Sequence, residues 1–145
     1  MDLVLLTIKW LGHACFLIST AGGSLLLDPY SEKIGYKPLD VKADIVFVSH
    51  DHFDHNNVAA VKGKPVVVQP KPETSAEAKK AMRKITRNGG DSRIEVPHDE
   101  RYGAERGMST ITVAKLNGVR VCHLGDLGDK LTKDQLKSTR SSRRS

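Results

Sequence analysis

Cysteine is scarce in this 145-residue chain: Cys15 and Cys122 are the only two. Two thiols cannot build the disulfide framework on which small secreted domains depend. Both are expected to be buried, and a reducing, cytoplasmic setting is the default. No apolar run approaches the ~20 residues that cross a bilayer, so no membrane role is expected. The opening MDLVLLTIKWLGHACFLIS is apolar but has no basic leader and no clear cleavage site, so it reads as strand and not as a signal peptide. Aromatic residues are few as well, one Trp, three Tyr and three Phe, which leaves little to stack on bases. Acid is missing from the last eight residues, STRSSRRS. Setting aside Arg140, Arg143 and Arg144 there lowers the formal net charge from +6 to 20 basic against 17 acidic residues. Half of the basicity is therefore terminal, and a small-molecule partner is expected in preference to nucleic acid.

What is present is the length and composition of one soluble domain, with 39% hydrophobic and 28% charged residues. The pattern opens as β. LVLLTIKW (3–10) and ACFLIS (14–19) are strand-length apolar runs, TAGGS (20–24) is a tight turn, and SLLLDPY (24–30) is a third strand stopped by Pro29. ADIVFVS (43–49) and KPVVVQ (64–69) are continuous apolar runs, as expected of strands covered on both faces. Between them NNVAAVKG (56–63) is a short helix candidate. Thr74 and Glu77 offer a capping box for a helix whose core face is Ala78, Ala81, Met82 and Ile85, ended by Asn88-Gly89-Gly90. RIEVP (93–97) is strand and HDERYGAERGM (98–108) a long loop. STITVAKL (109–116) and VRVCHL (119–124) form a hairpin around Asn117-Gly118.

The end of the chain is unusual. Thr132 and Gln135 form a second capping box, and Leu131 and Leu136 could begin an apolar stripe, but STRSSRRS follows at once. The expectation is a domain over 1–137 and an unstructured basic Ser/Arg tail over 138–145.

Three of the chain's six histidines lie within HDHFDH, residues 50–55. Imidazole nitrogen and carboxylate oxygen are the ligands zinc takes where thiolate is absent. If the segment is extended, His50 and His52 point the same way and can hold one ion. Asp54 and His55 follow after one spacer and can reach a second. Two metals ~3.5–4 Å apart are a recognised device for hydrolysis, and a loop after a buried strand is where a rigid scaffold carries such a site.

HDHFDH resembles the signature of the metallo-β-lactamase superfamily. WLGHACFLI (10–18), LLLDPY (25–30), HDERYGAERG (98–107) and VCHLGDLG (121–128) are similar, in the same order, to its small stand-alone metal-dependent hydrolases of the lactonase-like and phosphodiesterase-like branch. The resemblance implies an αββα sandwich within the α/β class. It implies zinc, one ion or two, with manganese or iron also suited to such ligands. His50, His52 and His98 would hold the first ion, and Asp54 and His55 the second. Asp126 would bridge them, and Asp54 would orient the attacking water. Asp28 would support the site without binding metal, and His123 and His13 are expected beside the ligands and not among them. Arg106, in the loop after His98, could draw in an anionic substrate.

The family pattern closes on a late histidine, and none follows His123 here. A C-terminally incomplete sandwich is therefore expected, with much of the second half missing. The inner faces of IVFVS and PVVVQ would be poorly covered, and about one ion would be held tightly. The implied activity is hydrolysis of an ester or lactone, or of a phosphodiester. A metal-binding remnant without turnover is the alternative, and a nuclease a weaker one.

Overall fold

The computed structural model describes residues 5–71, 75–86 and 90–140. Its elements run β1 (Thr7–Gly12), β2 (Cys15–Thr20), β3 (Gly23–Leu27), β4 (Val41–Lys42), β5 (Ile45–Phe47), β6 (Val61–Lys62), β7 (Val66–Val68), α1 (Ala76–Ile85), β8 (Gly90–Pro97), β9 (Met108–Leu116), β10 (Val119–His123) and α2 (Lys133–Arg140). Five strands form one sheet in the order β1-β2-β3-β5-β7, three form a second in the order β10-β9-β8, and β4 pairs with β6.

The apolar runs decide this arrangement. β1, β2 and β3 are antiparallel neighbours, whereas β3, β5 and β7 are parallel, with Leu27 opposite Phe47 and Phe47 opposite Val68. A parallel strand in the middle of a sheet has both faces to cover, which is why its sequence is apolar without alternation. Leu25, Leu27, Ile45 and Phe47 join Met82 and Ile85 of α1 and Ala114 and Leu116 of β9 in one cluster. Leu26 and Val46 point the other way, into a cluster with Tyr30, Val41 and Val61. Each such aliphatic side chain, fully buried, stabilises the fold by ~1.5–3 kcal/mol. The result is the mixed α/β architecture that the resemblance implies.

The coverage of the central strands corrects one expectation. Ile45, Val46 and Phe47 are at most 1% exposed, so the IVF run is covered on both faces by this chain alone, whereas Val66 and Val67 of β7 are only partly buried. Exposed apolar side chains include Ile8, Trp10 and Val119 on the edge strands β1 and β10, Met108 at the start of β9, Leu136 on α2, and Phe53, Tyr102 and Leu124 in loops.

Local differences have local causes. NNVAAVKG is a single 3-10 turn, Val58–Ala60, and Asn57 makes no side-chain cap bond there. Val61 turns out to pair with Val41, so sheet formation overrides the weak helical signal. The cap of α1 is Ser75, whose hydroxyl accepts from the Ala78 N–H. Thr74, Asn88 and Gly89 lie outside the described residues. Cys15 is buried, but Cys122 is exposed because it points outward from the edge strand β10. The second capping box is reciprocal: Gln135 N–H donates to Thr132 Oγ1, and Thr132 N–H to Gln135 Oε1. That start signal leads a helix through Arg140, so Ser138–Arg140 are helical and not tail. Among the described residues no helix is long and apolar enough to cross a membrane.

Candidate metal centre

Four strands deliver the site. Asp28 follows β3, Ser49 and His50 follow β5, His98 follows β8, and Asp126 lies just beyond β10. β3 and β5 are parallel neighbours, and β8 and β10 both run antiparallel to β9 between them. All four carboxyl ends thus meet at one edge of the two sheets, the usual place for a crevice in open α/β folds.

The histidine loop is a bend and not an extended segment. His52 N–H donates to His50 O at 3.1 Å, and the N–H groups of His55 and Asn56 both donate to His52 O, at 2.8 and 3.0 Å. Asn57 ties the far end down, its N–H on Pro29 O and its side-chain amide on Tyr30 O. The i, i+2 geometry expected for His50 and His52 therefore does not apply. The bend nevertheless brings their rings to 4.4 Å, and His98 joins them at 4.9 Å from His50. His50, His52 and His98 can each offer a ligand atom to one ion.

Asp28 organises the interior of the site. Its carboxylate, 1% exposed, accepts from Ser49 N–H at 2.7 Å, Ser49 Oγ–H at 2.6 Å and His55 Nδ1–H at 2.7 Å. Because the Ser49 hydroxyl gives its proton to Asp28, its oxygen accepts from His50 Nδ1–H at 2.9 Å. One carboxylate thus sets both tautomers and leaves Nε2 of His50 and of His55 as the nitrogens that can bind a ligand. Both Nε2 atoms are buried and have no hydrogen-bond partner.

Those nitrogens converge on Asp126. Its Oδ2 lies 3.3 Å from His50 Nε2, 3.2 Å from His55 Nε2 and 2.9 Å from His98 Nε2. The first two are close enough for attraction but are not aligned as hydrogen bonds. Burial opposes ionisation of Asp126, yet the His50 and His55 imidazoles hold its carboxyl well below the usual range. Burial also disfavours the His55 cation, but Asp126 and Asp28 outweigh it and raise His55 to about 9. Burial, with His50 and His98 nearby, lowers His52.

The donor set fits a divalent cation. Two fully buried imidazole nitrogens without hydrogen bonds, aimed past a carboxylate oxygen, are costly unless something binds them. Nitrogen and carboxylate oxygen donors are the set that zinc, manganese and iron accept.

The remaining predicted residues divide. Asp54 Oδ2 lies 3.5 Å from His55 Nε2 and 3.0 Å from His13 Nε2, so His13 faces the ligands directly. His123 lies outside the cluster. Its Nε2 donates to Ala14 O at 2.8 Å and its Nδ1 accepts from Gly125 N–H at 3.3 Å, so both nitrogens are in use. Arg106 lines a cavity of about 390 Å³ with His98, Asp126 and Gly128.

Several small residues that shape the site had gone unnoticed in the sequence. Ser109 Oγ accepts from Asp126 N–H at 3.0 Å and lies 3.5 Å from His50 Nδ1. Gly125 has φ 60°, and a Cβ there would meet Ser109 Oγ, Ser49 Cβ and Thr110 O within 2.8 Å. A Cβ on Gly128 would lie 2.1 Å from the backbone of His98. The only sequence signal for either glycine is the GDLG pattern around Asp126.

Residues 7–141 match a family described as the beta-lactamase superfamily domain. A UPF0173 metal-dependent hydrolase of Thermococcus kodakarensis is 31% identical over 136 residues, covering 82% of this chain and 60% of the relative. One of Thermus thermophilus is 30% identical over 135 residues, with the same two coverages, 82% and 60%. A Thermotoga maritima crystal structure, described as a putative zinc-dependent hydrolase of the metallo-β-lactamase superfamily, has a TM-score of 0.66 at 29% identity, covering 93% of this chain and 57% of that one. The chain thus spans about three fifths of the length of these relatives.

Proposed function

The chain belongs to the β-lactamase superfamily, and from that premise we propose that it acts as a metal-dependent hydrolase on an ester, a lactone or a phosphodiester. The observation that carries this reading is the pair of buried, unpartnered Nε2 atoms of His50 and His55 beside Asp126. The names of the relatives, metal-dependent hydrolases, support it.

His50, His52 and His98 would hold a first cation, with Asp126 reaching it and a second. A divalent cation such as zinc would lower the pKa of a water toward ~7 and polarise the scissile oxygen. The chain's own groups do the rest. Asp28 keeps the Nδ1 protons of His50 and His55 turned away from the ligand side, directly for His55 and through Ser49 for His50. Asp54, 24% exposed at the mouth of the site, orients the attacking water and takes its proton. Arg106, at the cavity wall beside His98, favours a substrate with negative charge.

The test is turnover of a model lactone and a model phosphodiester by the purified chain with added zinc or manganese. Asp54→Asn should lower the rate by a factor of ~10²–10⁴, the usual share of a general base. The double variant His50→Ala with His52→Ala should lose tight metal uptake. Full metal content in that variant would sink the ligand assignment. Full metal uptake without turnover of either substrate would favour a binding protein.

A further inference from the structure

His13 occupies an unusual place. It opens the two-residue turn between β1 and β2, where Gly12 pairs with Cys15 after a bulge. Its own φ is 49°, in the left-handed region that a histidine rarely adopts. The turn is clamped on both sides. Trp10 Nε1–H donates to His13 O at 2.8 Å. Gly12, at φ 131°, lies so close to the Tyr36 ring that a Cβ would be 2.6 Å from it. This backbone directs the His13 imidazole at the metal centre.

Three side chains meet there. His13 Nε2 is 3.0 Å from Asp54 Oδ2, His55 Nε2 is 3.5 Å from the same oxygen, and the His13 and His55 rings are 4.9 Å apart. All three ligand atoms lie within 4.8 Å of one another. His55 supplies a second, independent pointer. Its Nε2 is wholly buried and makes no hydrogen bond, while its Nδ1–H is held by Asp28.

We propose that His13 is a direct ligand of the second divalent cation that Asp54 and His55 would hold, and completes its protein ligand set. Asp126 Oδ2, 3.2 Å from His55 Nε2, is within reach of the same ion. The inference rests on the metal-dependent reading of the site, and it changes two expectations. His13 moves from a supporting role to a ligand, and the capacity of the chain rises from one tightly held ion to two. A simple ion pair between His13 and Asp54 is the competing account. Such a pair, with His13 36% exposed, would contribute little. It would neither offset the strained backbone of His13 nor satisfy His55 Nε2.

The experiment is zinc titration of the full chain by calorimetry, with elemental analysis after dialysis, for the native sequence and for His13→Asn. Asparagine tolerates positive φ, so the turn is retained, but its amide is a poor zinc ligand. Native protein should hold two equivalents. His13→Asn should keep the first with unchanged affinity and lose the second by more than the ~10–100-fold typical of removing a group behind a ligand. His13→Ala, checked by circular dichroism for retained fold, should behave alike. A second equivalent that binds equally well in both variants would make His13 only an ion-pair partner of Asp54. One equivalent in the native chain would overturn the second site and leave the first standing. No uptake at all would overturn the metal-dependent reading itself.

Discussion

Asp28 Oδ2 and His55 Nδ1 are 2.7 Å apart, and both side chains are at most 1% exposed. Asp28 lies behind His55, on the ring edge away from Asp126, and neither side chain is open to solvent. Removing one partner of a buried charged pair costs ~3–5 kcal/mol. Asp28→Asn cannot accept all three protons that the carboxylate now takes. Urea unfolding should show a loss of that order, and metal affinity should fall by ~10–100-fold. Native stability and affinity in Asp28→Asn would mean that Ser49 and His55 orient themselves without it.

Gly128→Ala tests the close approach of two loops. Its new Cβ would fall 2.1 Å from the His98 carbonyl carbon and oxygen, which are backbone and cannot rotate away. Overpacking of this kind costs ~1–3 kcal/mol. The displacement should move His98 off Asp126, so weaker zinc binding should accompany the lower melting temperature. A variant that melts as the native chain does and binds zinc equally well would show that the His98 loop is free to shift.

The loop after His98 should loosen in acid. The Arg106 N–H holds the Asp99 carboxyl at about 2, helped by the N–H groups of Arg101, Glu105 and Gly103. Its value is therefore lower in the folded chain than in the unfolded one. The stabilisation is fully present above the unfolded value and is lost as pH falls through about 2. Hydrogen exchange at Arg101, Gly103, Glu105 and Arg106 should keep its protection at pH ~5 and lose it progressively below ~4. In Asp99→Asn that acid-induced loss should vanish, because the group no longer titrates.

Cation uptake should release protons. In the cation-free chain His55 stays protonated up to about 9. Its raised value contributes stability that is fully present below the ordinary histidine range and lost as pH rises through about 9. A cation at His55 Nε2 must displace that proton, so apparent affinity should increase with pH up to the same point. Calorimetry in buffers of different ionisation enthalpy counts the protons. A pH-independent affinity between about 6 and about 9 would remove His55 from the ligands.

The sequence carried the candidate ligand cluster plainly because His50, His52, Asp54 and His55 are so closely spaced, and chemistry of that density leaves few readings. His98 and Asp126 were legible only by their order along the chain, each just after a strand. The buried strand β5 was legible too, since IVF is apolar at every position, whereas in the equally apolar VVV of β7 only Val68 is fully buried. What escaped depends on contacts between distant segments. His13 and Asp54 are 41 residues apart and meet only because the β1–β2 turn folds over the loop. Ser49, Ser109, Gly125 and Gly128 have no distinctive chemistry in isolation, and their parts come from distances of 3.5 Å or less to other backbone and side-chain atoms. The coverage of β5 was misjudged for a related reason. Leu26 and Val46 are shielded by Tyr30, Val41 and Val61, a patch assembled from short segments with no strong periodicity.

The cradle around Asp99 makes the segment from Arg101 to Arg106 self-supporting. Its turns are closed by one carboxylate through four backbone N–H groups, those of Arg101, Gly103, Glu105 and Arg106. The exposed side chains of Arg101, Ala104, Glu105 and Arg106 can therefore vary without unfolding it, whereas Gly103, at φ 85° and with Met108 Sδ 2.7 Å from where a Cβ would lie, cannot. Arg101, Glu105 and Arg106 of the segment line a second cavity, of about 380 Å³, together with His98 and Gly128. The segment stands next to the candidate metal centre as a short exposed surface whose side chains, Gly103 apart, can be exchanged. Transplanting residues 100–106 between relatives, with Asp99 and Gly103 retained, should alter which substrates the proposed centre admits without altering its cation uptake.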